Sequence, residues 1–365
     1  MQSLTENSSK QDQQSTGSYP WILSPVLDYL FCCGGMMWLL FIIEKLGVDP
    51  GNTKSSASVL LAAVIGLGSV LITEAHGPAT LVRAFASRTT PQSVKVATIV
   101  WAVVLFVVAA MAVHNIALAQ IFTKVTLVWL IQHYTAQTYG VIIIYCMKRN
   151  YKLSNAERIS LQWLLRSLML FVIVRMFTYY EYGHLDNFLG LSIPFYGPLP
   201  LWCLLSMQFL FTVSIIVFLC HMVAHYIRDK QFLPMPALVS IISVAMVTLS
   251  LRNAFFALGV TFYHASQYLA VTYSYYLKEK AEEKGRPVRG NILREFITPA
   301  SLIYLIVISS TGFFFINCLP QGLIKGGLPE TTILCILYSY LNCHHFFTDS
   351  ILWRIRNPKV KELLV

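Results

Sequence analysis

Six of the chain's nine histidines, His76, His133, His221, His264, His344 and His345, lie inside apolar runs long enough to span a bilayer. An ionisable side chain in hydrocarbon is costly, so it usually faces a bundle interior and serves a purpose there. Imidazole suits iron, zinc and copper. A ligating histidine commonly gives its second ring N–H to a carboxylate or amide. The local sequences supply such partners: Gln137 follows His133, Gln267 follows His264 and Asp349 follows His345, each at a spacing that shares one helix face. Glu74, two residues before His76, is the other acid placed to complete a metal shell, and Gln137 and Gln267 are expected to orient the centre. His221 and His225 form an HxxxH able to hold an ion from one helical turn, although His225 also reads as a residue reaching the headgroups. A single intramembrane histidine bonded across helices is ordinary, at about 0.6–2 kcal/mol. The set on separate helices favours a metal or haem centre.

The elements that position these groups follow from composition. The chain of 365 residues is 56% hydrophobic and 12% charged, where soluble domains carry about a quarter charged residues. The expectation is an all-α, polytopic transmembrane helix bundle. Its apolar runs do not alternate residue by residue as barrel strands would. Ten spans are expected, at roughly 24–46, 57–82, 95–118, 125–147, 160–180, 200–226, 234–251, 253–277, 297–318 and 330–353. Only Arg252 and Asn253 separate the seventh from the eighth, so nine spans or a re-entrant pair is the competing count. Residues 1–20 read as a disordered cytoplasmic tail, 21–355 as the bundle and 356–365 as a short cytoplasmic tail.

Charge distribution gives the orientation, since short cytoplasmic loops retain Lys and Arg. With ten spans, the termini and even-numbered loops hold 20 of the 27 basic residues, and the odd loops hold only Lys45, Lys54, Lys124, Arg252 and Lys325. Both termini are therefore expected on the cytoplasmic face. The net charge of +10 follows from basic residues edging the inner leaflet, with no aromatic interleaving of the kind that binds nucleic acid. Every candidate histidine then lies on an even-numbered helix running from outside to inside. Counting back from the basic helix ends places His76, His221 and His345 in one layer and His133 and His264 in another, about 10 Å higher at 1.5 Å per residue.

Other residues carry less weight. Asp28 is expected to cap the first helix or sit at the interface, with lining the cavity as the alternative, and Arg175, near mid-span, must find an acid or a cavity. The eight cysteines form no CxxC pair and read as buried free thiols.

The strings HGPATLVRAF (His76 to Phe85), HYTAQTYG, YHASQYLA and HHFFTDSILWRIRNP (His344 to Pro358) resemble a family of bacterial and cyanobacterial polytopic membrane proteins. That implies a bacterial inner or thylakoid-type membrane. In spacing alone, single histidines plus an HxxxH on separate spans resemble the Brp/Blh-type membrane carotenoid dioxygenases, which bind non-haem iron. That resemblance implies His76, His133, His221 and His225 as the iron set.

The leading expectation is a membrane oxidoreductase holding non-haem iron in the cytoplasmic half of the bundle and acting on an isoprenoid or acyl lipid. Its ligands would be His76, His133, His264 and His345, with Asp349 or Glu74. The alternatives are a proton-coupled transporter with a histidine relay, and a haem-binding assembly protein using His133 and His264.

Overall fold

The computed structural model describes residues 19–47, 55–250, 254–288, 290–353 and 358–364. Helices occupy all ten segments in which spans are expected: α1 (Gly35–Lys45), α2 (Ser56–Gly68) continuing through a wide turn into α3 (His76–Ala86), α4 (Gln92–Val113), α5 (Ile116–Lys148), α6 (Asn155–Thr178), α7 (Leu201–Asp229), α8 (Met235–Leu249), α9 (Ala254–Glu283), α10 (Pro299–Phe313) and α11 (Glu330–Leu352). A short helix, α12 (Pro358–Leu364), closes the described chain and packs on α9 with Val360, Leu363 and Leu364 buried. The C-terminal stretch expected as a tail is thus docked over most of its length.

Among the described residues, six stretches are long and apolar enough to cross a bilayer: Ser56–Ala86, Gln92–Val113, Ile116–Lys148, Asn155–Thr178, Leu201–Asp229 and Pro299–Lys325. A seventh is a broken pair, Pro25–Cys32 and Gly35–Ile43, bent by 68°. The break falls at Gly34, whose φ of +87° suits glycine and whose missing Cβ lets Ser243 of α8 approach. Of the remaining expected spans, α8 is only 15 residues long. Helices α9 and α11 are long but less apolar, because the faces they turn inward are polar. His264, Ser266, Gln267, Thr272 and Ser274 are buried on α9, and Ser339, His345, Thr348 and Asp349 on α11. Arg252 and Asn253, the separation expected between the seventh and eighth spans, lie outside the described residues, as do residues 1–18, Lys54, Arg289 and Arg354.

The bundle is inverted relative to a soluble protein. Ile99, Val103 and Phe106 of α4, Phe209 and Ile216 of α7, and Ile303 and Ile306 of α10 are exposed. Hydrocarbon solvates such side chains as well as a core would, so nothing drives them inward. The interior combines an apolar core, with Ile142, Leu161, Leu168, Val244 and Leu277 buried, and polar contacts across helices. Gln137 Nε2 donates to the His264 carbonyl and to Gln267 Oε1, each at 3.0 Å, and Gln267 Nε2 donates to the Cys32 carbonyl at 2.7 Å. Asp28 accepts from the backbone N–H groups of Ile22, Leu23 and Ser24 and from Tyr145 Oη, tying the chain before the first helix to α5. This corrects the expectation of a cap or interface residue: the helix start at Pro25 is capped by Ser24, whose Oγ accepts from the Leu27 N–H, and Asp28 is fully buried. Arg175 makes no ion pair with an acid among the described residues. It donates to the Thr248 and Leu249 carbonyls at the end of α8 and lies 4.3 Å from the Tyr182 ring, because the last carbonyls of a helix are themselves acceptors for a cation. The eight cysteines are free.

Candidate metal centre

Four helices meet around the histidines: α11 packs on α3, α4 and α5, and α9 packs on α3 and α5. His76 starts α3 directly after the π-helical turn Ser69–Glu74. A π turn inserts an extra residue and re-aims the side chains beyond it, and here it aims His76 at α9 and α11. His133 on α5, His264 on α9 and His345 on α11 supply the other rings.

The imidazoles form one cluster. Ring centroids lie 4.8 Å apart for His76 and His345, 4.8 Å for His133 and His264, 4.9 Å for His133 and His345, 5.3 Å for His76 and His264, and 5.8 Å for His264 and His345. One ring nitrogen each from His76, His264 and His345 falls within a 4.8 Å set, and His133 Nε2 stands 3.2 Å from His345 Nε2. Two nitrogens each about 2.1 Å from one ion are separated by roughly 3 Å. The His133–His345 pair already has that spacing, and the wider set would close by about 1 Å around an ion. Asp349 joins them, with Oδ2 3.8 Å from His133 Nε2.

Hydrogen bonds fix which nitrogens face inward. His76 Nδ1 meets the Thr73 carbonyl, which can only accept, so Nδ1 carries the hydrogen and Nε2 keeps its lone pair. Thr80 Oγ1 donates to Tyr268 Oη at 2.7 Å and stands 2.7 Å from His345 Nδ1. With its hydrogen committed to Tyr268, Thr80 accepts from His345 Nδ1–H, and His345 Nε2 is again the bare nitrogen. Such outer partners are what orient metal-binding imidazoles. The cluster also contains buried atoms with no hydrogen-bond partner: both ring nitrogens of His264 and Oδ1 of Asp349. Buried polar atoms are normally satisfied, so orphaned atoms with lone pairs around one point fit a cation.

This geometry corrects the two-layer expectation. His133 and His264 are level with His76 and His345 because α5 and α9, of 33 and 30 residues, are longer than the roughly 20 residues a bilayer needs. A count taken from their basic ends therefore places the rings too high.

The remaining candidates lie apart from the cluster. His344 Nε2 faces the Thr98 carbonyl at 3.3 Å, and its ring stacks on Tyr340. Glu74 accepts from Asn317 Nδ2 at 2.9 Å. Gln137 and Gln267 bond to each other and to backbone carbonyls, so they set the register of α5 and α9 and do not touch the imidazole nitrogens. On α7, which packs on α6, His225 Nδ1 meets Glu157 Oε1 at 2.7 Å and its ring stacks on Tyr151. His225 is thereby held by an acid, and His221 belongs to no ligand group among the described residues. The set implied by the dioxygenase resemblance, His76, His133, His221 and His225, is not the set brought together here. Thr80 and Tyr268 were not singled out in the sequence, although each stands four residues after a clustered histidine on the same helix face.

A cavity of about 660 Å³ leads to the cluster, with His76, His264 and His345 in its wall. The rest of its lining is mostly apolar, and Phe85, Ile99, Val103, Phe106 and Ile316 at its edge are exposed on the lipid-facing surface. The opening is therefore lateral, toward hydrocarbon.

Comparison with protein-family models, curated proteins and solved structures returns no match for this chain.

Proposed function

We propose that this protein is a membrane oxidoreductase that holds non-haem iron among His76, His133, His264, His345 and Asp349 and acts on a lipid or isoprenoid drawn from the bilayer. The observation that carries the reading is the convergence of four imidazoles and a carboxylate from four helices, beside a cavity open to hydrocarbon. The wider reading includes ten spans with both termini on the cytoplasmic face of a bacterial inner or thylakoid-type membrane, supported by the partition of basic residues.

Neutral imidazoles with one carboxylate leave a divalent ion partly uncompensated, and iron in such a shell supplies oxygen chemistry on hydrocarbon. The chain's own groups do the rest. The Thr73 carbonyl and Thr80 hydroxyl hold two rings in the tautomer that presents Nε2. Tyr268 anchors Thr80, and Asp349 offers an oxygen on the His133 side. Leu81, Val103, Phe106 and Leu130 exclude water from the approach and receive the chain of a substrate.

Against a haem reading stands the packing of the rings, which are tilted or edge-to-face with no flat slot between the expected axial pair, His133 and His264, at 4.8 Å and 77°. Metal analysis with an absorption spectrum of the purified protein tests the proposal. Stoichiometric iron without a Soret band is the expected result. A Soret band would turn the reading to haem, and the absence of both would turn it to the histidine relay.

A further inference from the structure

The cavity carries information about the polar end of its occupant. Its wall, as described, contains no lysine or arginine. Its acidic group is Glu74, on the same turn whose Thr73 carbonyl holds His76, and its neutral polar groups include Ser69, Thr73 and Asn342. In the metal-free protein a carboxylate or phosphate inserted beside Glu74 would meet another carboxylate, with no lysine or arginine in the described wall to offset it. A hydroxyl meets the opposite situation. Glu74 is an acceptor with about four lone-pair sites, of which Asn317 Nδ2 occupies one at 2.9 Å.

We infer that the cavity selects an uncharged, hydroxyl-bearing apolar chain, an isoprenoid or fatty alcohol, whose hydroxyl donates to Glu74. It discriminates against the acid or phosphate of the same chain. Glu74 and His76 are two residues apart, flanking the end of one π turn, so a hydroxyl fixed at Glu74 brings the neighbouring carbons of the chain to the histidine face of the cavity. The apolar wall takes the next part of the chain, and the lateral opening lets the remainder stay in the bilayer. At about 660 Å³ the space falls within the roughly 300–1,000 Å³ of small-molecule sites. The assignment of a substrate rests on the metal reading above, whereas the binding preference itself does not.

The test uses the full chain in detergent micelles after chelation of any metal. Equilibrium dialysis measures the binding of a radiolabelled polyisoprenoid alcohol, the carboxylic acid of the same length and the parent hydrocarbon. The alcohol is expected to bind about tenfold or more tighter than the other two, equivalent to about 1.4 kcal/mol. Glu74→Gln is expected to narrow the alcohol–acid difference, chiefly by improving binding of the acid. Ala102→Trp, which fills the cavity, is expected to abolish binding of all three while the protein keeps its monodisperse elution and its metal uptake. Equal binding of alcohol and acid, equal binding of hydrocarbon and alcohol, or unchanged binding in Ala102→Trp would overturn the inference. Because the protein is metal-free in this assay, failure here leaves the metal analysis standing, and failure of the metal analysis leaves a measured preference standing.

Discussion

His133 and His345 bring their Nε2 atoms to 3.2 Å although 212 positions separate them in the chain. His345 Nε2 carries a lone pair, since its Nδ1–H is given to Thr80. Without an ion, the contact requires His133 to donate its own Nε2–H. With an ion, both lone pairs turn to it.

This contact gives the first prediction. His345→Ala and His133→Ala each remove a ligand and are expected to lower bound metal to a small fraction of the native stoichiometry. His225→Ala and His344→Ala should leave it unchanged, because those rings are held by Glu157 and the Thr98 carbonyl. Elemental analysis of the four purified variants checks the pattern, and retention of metal in both His345→Ala and His133→Ala would sink it.

Thr80 acts through His345 and not on the ion itself. Thr80→Val keeps the shape and loses the acceptor, so metal affinity should fall by roughly 10–100-fold. Tyr268→Phe, one bond further out, should have the smaller effect. Competition with a chelator of known affinity measures both, and equal affinities in native and Thr80→Val proteins would remove Thr80 from the site.

Glu157 has a different task. Its Oε2 accepts from the Ser154 backbone N–H in the capping box of α6, and its Oε1 meets His225 Nδ1 and, at 3.6 Å, Arg228 of α7. Removing Glu157 leaves the buried His225 Nδ1 without its hydrogen-bond partner, at about 1–3 kcal/mol, and takes away the Glu157 half of the capping box. Glu157→Ala should therefore lower the thermal midpoint in detergent markedly while the metal content per folded molecule stays native. A drop in metal content at unchanged midpoint would mean that this cluster communicates with the centre.

Gly312 is the point where α10 crosses the π turn. A Cβ there would stand 3.0 Å or less from backbone atoms of Glu74 and Ala75, and backbone cannot yield as a flexible side chain does. Gly312→Val should destabilise the bundle by about 1–3 kcal/mol through overpacking. It should also weaken metal binding, because the displaced segment carries His76. Unfolding and metal titrations of the variant read the two effects separately.

The sequence made much of this site legible, for physical reasons that differ from residue to residue. His76, His133, His264 and His345 stood out because imidazole in an apolar run is expensive. Asp349 was visible as the acid one turn after His345. Helix rotation was not visible, so nothing in the linear pattern separated His264 from His221, or showed that His225 turns to Glu157 on α6. The π turn at Ser69–Glu74 was also illegible, since hydropathy over Ser56–Ala86 reads as one uninterrupted helix. Arg175 misled by its charge: its partners are carbonyls, which every residue has and no sequence pattern marks.

Helices α9 and α11, which carry His264, His345 and Asp349, turn polar faces inward, as α5 does with Lys124, His133 and Thr135. A nascent segment partitions into the bilayer according to its own side chains. These two segments therefore depend during biogenesis on neighbours already in place to shelter their polar faces. The residues that equip the mature protein for chemistry thus leave these helices less lipid-soluble on their own than the strongly apolar α4 and α10.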